Sequence, residues 1–320
     1  MARKALDLHC DTLMKLPKTG NLDEKKNMVT LEGLQSGGVA LQCFADFVPT
    51  GIFPKGFRKT LTAVMFNKLY KNYQRMMETH SDILFPVLTA ADIDRAGVDG
   101  KIGVLLTIED GGVLGEELAN VKKFYDKGVR LVTLTWNHPN AIGYPNSNDS
   151  EIMYKGLTDF GREVVREMER LGMVVDVSHV SDGVFWNVAE IARKPFLASH
   201  SNSRAVCNHK RNMTDEMIKK LADCGGVMGL NLGPEFLAEG SEDSRVEDMV
   251  KHILHIRNIA GIDVLALGSD FDGVHGNMDI HGPESWPKLE AALLAAGLSE
   301  DELDKIWWAN AERVLRAVLV

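Results

Sequence analysis

The sequence has few cysteines and no long apolar run. Its 320 residues include four cysteines, which lie far apart and form no Cys-x-x-Cys pair. Reduced thiols in a cytoplasmic protein are therefore expected rather than a disulfide framework. No stretch of about 18 apolar residues occurs, and the N-terminal residues lack the pattern of a secretory signal. We therefore expect neither a membrane span nor export.

The chain also has fewer basic residues than acidic residues. The chain has 36 Lys and Arg residues against 45 Asp and Glu residues, a formal net charge of −9, and its basic residues form no extended run. Nucleic acid and anionic membrane surfaces are therefore not expected as partners. The motif GxGxxG is absent, and so is GxxxxGK followed by Ser or Thr, so neither a dinucleotide site nor a P-loop phosphate site is supported.

Eight apolar segments, several of them rich in β-branched residues, alternate with segments of helical periodicity. We predict strands at residues 5–9, 38–46, 102–108, 130–135, 173–178, 195–199, 226–232 and 264–269. We predict helices at residues 57–80, 116–127, 158–171, 181–192, 214–223, 246–259, 286–296 and 300–317. With no repeat and no linker, this alternation predicts one α/β domain over residues 1–320, a (β/α)8 TIM-like barrel. A doubly wound open sheet is the main alternative.

Two connections in this scheme are unusually long. Residues 51–96 separate the second and third predicted strands, and residues 137–157 are rich in Pro, Asn, Gly and Ser. Loops of this length often act as lids over a functional site. Helix starts are marked by Thr158, Ser181 and Thr214, whose hydroxyl groups are suited to N-caps.

Residues that can bind a metal or move a proton follow five of the predicted strands. They are His9 and Asp11 after the first strand, then Glu109, His179, His200 and Asp270 after four others. In a parallel barrel the carboxyl ends of all strands meet at one rim, which is where active sites of such barrels lie. The pattern therefore predicts a metal-dependent hydrolase site at this rim.

The individual positions favour particular roles. His9 and Asp11 are two residues apart on a strand and so share a face. Glu109 offers two oxygens that can bridge two cations, with Asp110 as its competitor. His179 and His200 lie 21 residues apart, about one βα unit, and can chelate one metal from adjacent strands.

The remaining candidates have alternatives that the sequence leaves open. Asp270 is placed to act as a general base, with Asp272 as the alternative. Arg211 can clamp a carboxylate or is a solvated cation. Asp176 either accepts a hydrogen bond from a metal-bound imidazole or is a polar group at the edge of the core. Cys10 is expected to face away from its neighbours and pack.

Together these stretches resemble the membrane (renal) dipeptidase family of zinc metallopeptidases, within the amidohydrolase-like barrels. The resemblance rests on Asp-Leu-His-Cys-Asp at 7–11, Thr-Ile-Glu at 107–109, Leu-Val-Thr-Leu-Thr at 131–135, Asp-Val-Ser-His-Val-Ser at 176–181, Ser-His-Ser at 199–201 with Cys207 and Arg-Asn at 211–212, and Gly-Ser-Asp-Phe-Asp-Gly at 268–273. Their order and spacing cover nearly the whole chain.

The resemblance implies two zinc ions, one held by His9, Asp11 and Glu109 and the other by Glu109, His179 and His200, although other divalent cations are allowed. It also implies that Asp270 is the general acid and base, that Arg211 binds the substrate carboxylate, and that water activated at this metal pair hydrolyses dipeptides, L,D-dipeptides included.

One departure from the family stands out. A substrate-contacting histidine is expected after residue 135, but this chain has Trp136 there and His138 two residues later. Either His138 takes over the contact with the substrate or the contact is missing. The lack of a signal peptide or lipid-anchor tail agrees with soluble bacterial-type relatives.

Other functions remain open at this point. Another amidohydrolase-like activity, such as that of a cyclic amidase, deaminase or lactonase, would use the same scaffold. A metal-bound binding protein without catalysis is the alternative from another class, although it would not need Asp270. The sequence leaves the side-chain and stereochemical preference, the physiological metal and the oligomeric state open, a homodimer included.

Overall fold

The fold is seen in a computed structural model that describes residues 2–24 and 26–320. Eight parallel strands form a closed barrel, in which β2 pairs with both β1 and β4 and thereby completes the ring. The strands in chain order are β1 (Ala5–Asp7), β2 (Val39–Phe47), β3 (Leu84–Pro86), β4 (Ile102–Glu109), β5 (Val129–Thr133), β6 (Val174–Asp176), β7 (Leu197–Ala198), β8 (Val227–Leu230), β9 (Asp243–Ser244), β10 (Leu265–Leu267) and β11 (Asn277–Met278). The barrel uses β1, β2, β4, β5, β6, β7, β8 and β10, which confirms the predicted fold class.

Helices lie outside this ring and follow most of its strands. They are α1 (Leu31–Ser36), α2 (Arg58–Thr79), α3 (Ala119–Asp126), α4 (Ser150–Met153), α5 (Asp159–Leu171), α6 (Asp182–Ile191), α7 (Asp215–Asp223), α8 (Pro234–Leu237), α9 (Val246–Ala260), α10 (Trp286–Ala295), α11 (Glu300–Asp304) and α12 (Asn310–Val318). None of the helices in the described part of the chain has both the length and the apolar character that crossing a bilayer requires.

The three predicted helix starts are confirmed in atomic detail. The side chains of Thr158, Ser181 and Thr214 each accept a hydrogen bond from a backbone N–H three residues later, at the beginning of α5, α6 and α7. Each bond satisfies one of the backbone donors that a helix N-terminus leaves free.

The structure differs from the prediction in several short additional elements, α1, α4, α8, β9 and β11, and in two larger features. The long connection after β2 contains the additional strand β3, which pairs with the first half of β4 while β5 pairs with the second half. The helix predicted at 300–317 is interrupted by a π-helical turn at Lys305–Ala309. This turn buries Trp307 fully and precedes Asn310, whose amide donates to the carbonyl oxygens of Ile262 and Leu265.

The core has an inner and an outer layer. The inner layer fills the amino half of the barrel with aliphatic side chains, Leu6, Leu41 and Leu105 among them, and α12 packs against it. The outer layer lies between the barrel and its helices and contains Cys10, whose burial agrees with the predicted packing role. Because the inner layer is apolar, the polar side chains of the strands collect at the carboxyl ends.

Candidate metal centre and active site

The structure brings the five predicted metal ligands and Asp270 together at the carboxyl end of the barrel. Glu109 is the last residue of β4, and the others follow β1, β6, β7 and β10 by two to four residues, as the parallel sheet requires. Three overlapping groups of potential ligand atoms result: His9 with Asp11 and Glu109, Glu109 with His179 and His200, and His9 with His200 and Asp270. All six residues are buried.

Glu109 lies between the two predicted metal-binding groups and turns one oxygen toward each. Its Oε2 is 3.5 Å from His9 Nε2, whereas its Oε1 is 3.0 Å from His179 Nε2 and 3.6 Å from His200 Nε2. Burial alone would raise the pKa of this carboxyl, but His9, His179 and His200 hold the pKa well below its usual range. The arrangement is suited to a carboxylate that bridges two cations.

Distances within the cluster fit metal coordination. Ligand atoms bound at about 2.0–2.2 Å in a tetrahedron lie about 3.3–3.6 Å apart. Here His9 Nε2 is 3.6 Å from Asp11 Oδ2 and 3.5 Å from Glu109 Oε2, and His200 Nε2 is 3.6 Å from Glu109 Oε1. His179 Nε2 lies closer, at 3.0 Å from both Glu109 Oε1 and His200 Nε2. Both ring nitrogens of His9 and Oδ1 of Asp11 are buried without a hydrogen-bond partner. Buried polar atoms need partners, and divalent cations would supply them.

The charges of the buried cluster also favour a bound metal ion. Asp11, Glu109 and Asp270 bring three carboxyl groups into one buried cluster, and within the described residues the basic side chains that contact them are histidines. Burial lowers the pKa of His179 to about 4 and that of His200 well below its usual range, so these two rings add no compensating charge at neutral pH. Burial, followed by the charge of Glu109, raises the pKa of Asp11 to about 6. Uncompensated carboxylates of this kind are costly, and a metal ion relieves the cost.

Asp270 is oriented by a neighbour that the sequence reasoning missed. The amide of Asn231, which follows β8, donates to Asp270 Oδ2 at 2.8 Å, while Asp270 Oδ1 lies 3.7 Å from His9 Nε2. Burial raises the pKa of Asp270 to about 8; His9 opposes the shift, and Asp11 and Glu109 add to it. A carboxyl group whose pKa lies near neutral pH can both take up and release a proton.

Local backbone conformations hold these side chains at the rim. His179 and Asp270 have φ of +65° and +61°, a region that residues other than glycine rarely adopt. A Cβ atom at Gly273 would collide with the carboxylates of Asp11 and Asp270. The chain can therefore pass so close to two carboxylates because residue 273 is glycine.

Arg211 lies beside the cluster without a carboxylate partner among the described residues. It is buried, donates from Nη1 to Ser201 Oγ and from Nη2 to the His200 carbonyl, both at 2.7 Å, and has no partner for Nε. Burial lowers its pKa to about 10, against the opposing effects of Asp270, Asp176 and Glu109. A buried guanidinium with a free donor is well placed to receive an anionic group.

His138 is not placed in the cluster. It is exposed on the loop after β5, where its side chain lies against Gly51. Trp136 is half-buried, with its ring 6.4 Å from that of His179 and 4.9 Å from that of Phe47. Asn137, which the sequence reasoning missed, places its Oδ1 3.1 Å from His179 Nδ1.

Asp110 and Asp272, the alternatives to Glu109 and Asp270, bind other parts of the chain. Asp110 accepts hydrogen bonds from Thr50, Gly112 and Asn140. Asp272 accepts from Thr12 and Met28 and pairs with Lys15. Both carboxylates fix loops, which leaves Glu109 and Asp270 to face the cluster.

Asp176 lies behind His200 rather than in the cluster. It accepts a hydrogen bond from the hydroxyl of Ser199, and that hydroxyl is 2.6 Å from His200 Nδ1. Of the two interpretations left open by the sequence, the structure agrees with support of a ligand imidazole, through Ser199. Nothing in the sequence marked Ser199 itself except its place next to His200.

Comparison with known proteins identifies the family of this site. The family model for membrane dipeptidases, peptidase family M19, matches residues 2–319. The chain belongs to this family. Membership makes the protein a metal-dependent dipeptidase, in agreement with the resemblance inferred from the motifs.

Relatives of this dipeptidase align over nearly all of its chain, and the solved structures among them superpose on its barrel. The dipeptidase tcpJ of Claviceps purpurea (strain 20.1) is 32% identical over 328 residues, which cover 99% of this chain and 74% of that protein. The crystal structure of the dipeptidase AC, a metallopeptidase of family M19, superposes with a TM-score of 0.90 at 25% identity, covering 100% of this chain and 99% of that one. A metallopeptidase from Rhodobacter sphaeroides, crystallised with a phosphinate mimic of L-Ala-D-Ala, superposes with a TM-score of 0.88 at 24% identity, covering 99% and 100% of the two chains.

Proposed function

We propose that this dipeptidase works with two zinc ions, one held by His9, Asp11 and Glu109 and the other by Glu109, His179 and His200. The observation that carries the proposal is Glu109, whose two oxygens face the two groups separately. Imidazole and carboxylate ligands suit zinc, and other divalent cations of similar preference would fit the same atoms. When bound, the ions supply Lewis acidity and lower the pKa of water toward neutrality.

Side chains of the protein supply proton transfer, substrate binding and exclusion of water. Asp270 takes a proton from the attacking water and returns one to the leaving amine, a role supported by its raised pKa and its hydrogen bond to Asn231. Arg211 pairs with the C-terminal carboxylate of the substrate, a role supported by its burial and its unpartnered Nε. Trp136 and Phe47 form an apolar wall beside His179 that shields the site from water.

The charge of this arrangement supports the substrate class. Among the described residues Arg211 is the buried cation beside the ligand cluster, and it favours a substrate with a free carboxylate close to the scissile bond, as a dipeptide has. The phosphinate mimic of L-Ala-D-Ala in the Rhodobacter sphaeroides structure motivates the extension to L,D-dipeptides.

The test is a metal analysis combined with a panel of dipeptides in L,L and L,D forms. We expect about two divalent ions per chain and loss of turnover with a chelator, restored by added zinc. A metal-free purified protein whose activity ignores chelators would refute the proposed centre. Turnover of cyclic amides or lactones but not of dipeptides would favour another amidohydrolase-type activity, and metal binding with no turnover would indicate a binding protein.

The other predictions for this chain are a single domain over residues 1–320, a cytoplasmic location and a monomer or homodimer in solution. Limited proteolysis, cell fractionation and light scattering would test them in turn.

A further inference from the structure

The hydrogen bonds around Ser199 determine how the ring of His200 must be protonated. Ser199 Oγ lies 2.6 Å from Asp176 Oδ2 and 2.6 Å from His200 Nδ1. A serine hydroxyl has one hydrogen, so it can donate in only one of these contacts. All three side chains are fully buried, so bulk water does not compete for either position.

The contacts of Asp176 determine to which acceptor the Ser199 hydroxyl donates its hydrogen. Its Oδ1 accepts from the backbone N–H groups of Ser178 and Ser199, both at 2.9 Å, and its Oδ2 accepts from the Thr133 hydroxyl at 2.6 Å. The fourth contact of the carboxylate is the Ser199 hydroxyl. A carboxylate with this set of donors has no hydrogen to give, so Ser199 must donate to Asp176.

We infer that Ser199 is a positioning residue that fixes His200 in the tautomer with a hydrogen on Nδ1. Because the Ser199 hydrogen points to Asp176, the Ser199 oxygen accepts from His200 Nδ1–H. The lone pair of His200 is then on Nε2, the atom that lies 3.0 Å from His179 Nε2 and 3.6 Å from Glu109 Oε1. The chain Thr133, Asp176, Ser199 and His200 thus prepares one metal ligand before any metal arrives.

A second buried Asp–Ser pair provides a matched control. Ser269 Oγ lies 2.6 Å from Asp7 Oδ2, and Asp7 Oδ1 accepts from the Ser269 backbone at 2.8 Å, the same pattern as in the pair of Asp176 and Ser199. The other contacts of Ser269 Oγ are the carbonyl oxygen of His9 at 3.0 Å and the backbone N–H of Phe271, which donates to it at 3.1 Å, and neither is an imidazole ring. Removing this hydroxyl should therefore disturb a similar buried pair without changing the His200 tautomer.

The tautomer can be measured directly in the full-length protein stripped of metal and labelled with [15N]histidine. Long-range 1H–15N correlation distinguishes protonated from unprotonated ring nitrogens, and His200→Gln assigns the signal. We expect the parent protein to show a protonated Nδ1 and an unprotonated Nε2 for His200. A proton on Nε2 in the parent would overturn the inference, whether or not any variant folds.

Variants then test whether Ser199 is the cause. In Ser199→Ala the His200 signal should become a mixture of tautomers, and the zinc affinity measured by chelator competition should fall by about 10- to 100-fold, the usual loss when a supporting contact is removed. Ser199→Thr, which keeps the hydroxyl, should restore the parent tautomer, and Ser269→Ala should keep it as well. An unchanged tautomer and zinc affinity in Ser199→Ala would show that Ser199 only packs.

The inference rests on the proposed zinc centre only in its affinity measurement. If His200 has the expected tautomer but the protein cleaves no dipeptide, the inference stands and the proposed substrate fails. If the protein cleaves dipeptides but His200 has its proton on Nε2, the proposed function stands and this inference fails.

Discussion

At the amino end of the barrel the inner side chains are aliphatic and fully buried, whereas at the carboxyl end six ionisable side chains share one buried cluster. The amino end is stabilised by burial of apolar area and is covered by α12. The carboxyl end combines raised pKa values of Asp11 and Asp270 with positive φ at His179 and Asp270. Strain and buried charge lower the stability of this end, and the packing below it offsets the cost.

The two ends of the barrel should therefore respond differently to substitution. Changes within the buried cluster at the carboxyl end should affect turnover more than stability, and changes in the apolar layer at the amino end should do the reverse.

The largest effect on turnover is expected from Asp270→Asn. The amide keeps the size of the side chain but cannot take up a proton, so turnover should fall by at least about 100-fold, while the thermal midpoint and the metal content stay close to those of the parent. Steady-state kinetics and calorimetry measure the two quantities. Asp272→Asn is the matched control and should mainly lower stability, since Asp272 ties Thr12 and Met28 together. If Asp272→Asn proves the more damaging to turnover, the wrong carboxylate has been assigned.

At the amino end, Leu315→Ala should cost stability without affecting catalysis. Leu315 is fully buried on α12 in the inner layer, and truncation of such a leucine costs about 2–5 kcal/mol. Chemical denaturation measures the loss, and kcat/KM on a dipeptide should remain that of the parent. Leu294→Ala, at an exposed position, should change the free energy of unfolding by less than about 0.5 kcal/mol. A drop in kcat/KM for folded Leu315→Ala would mean that the two ends are not independent.

A smaller effect, confined to one kind of substrate, is expected from Arg211→Ala. Loss of one charge-assisted contact costs about 1.5–3 kcal/mol, so kcat/KM on dipeptides should fall by roughly 10- to 150-fold. A C-terminally amidated dipeptide should be a poor substrate of the parent, and the substitution should hardly worsen it. Equal losses on both substrates would instead assign Arg211 to support of the His200 carbonyl and Ser201.

His138→Ala sharpens the same experiment. If His138 replaces the family's histidine at the scissile carbonyl, kcat should fall on acid and amide substrates alike. Its exposed position against Gly51 leads us to expect little change.

An effect on stability alone is expected at Asp46, an acidic residue near the carboxyl end of β2 that takes no part in the cluster. Both of its carboxylate oxygens are buried and without a hydrogen-bond partner, and burial raises its pKa well above 3.8. Its protonated form is therefore favoured in the folded protein, so stability is fully present below the unfolded-state pKa and is lost as pH rises through the folded-state pKa.

Asp46→Asn should remove this pH dependence. We expect it to raise the free energy of unfolding by about 1–3 kcal/mol at neutral pH and to have little effect near pH 4, as measured by denaturation at a series of pH values. Asp82→Asn, at an exposed position, is the control and should show no such trend. A gain that is independent of pH would exclude ionisation of Asp46 as its cause.

The barrel and the principal cluster could be predicted from the sequence because both follow from local patterns. Apolar runs alternating with helical periods define the strands, and parallel pairing brings the side chains at the strand ends, His9, Glu109, His179 and His200, to one rim. The strand β3 was missed because it has only three residues and is defined by its pairing with β4.

The supporting residues could not be predicted in the same way. Asn137, Ser199 and Asn231 are short polar residues of a kind common in loops, and each acquires its role from an atom on another part of the barrel or on the next residue. Their function depends on distances of about 3 Å that no spacing in the sequence defines. His138 illustrates the converse, since its position in the sequence suggested a contact with the substrate, whereas the structure places it at an exposed position against Gly51, outside the cluster.

The strand β4, which carries Glu109, is paired along both of its edges. One edge pairs with β2 over almost its whole length, and the other edge pairs with β3 in its first half and β5 in its second half. Opening β4 would break three pairings at once, so its amides should exchange with solvent only through global unfolding. The strands before His179 and His200 have three and two residues, and their ends can open at lower cost. The end of β4 should therefore hold Glu109 in place while the segments that carry His179 and His200 open, which makes the histidine side of the cluster the side expected to open first.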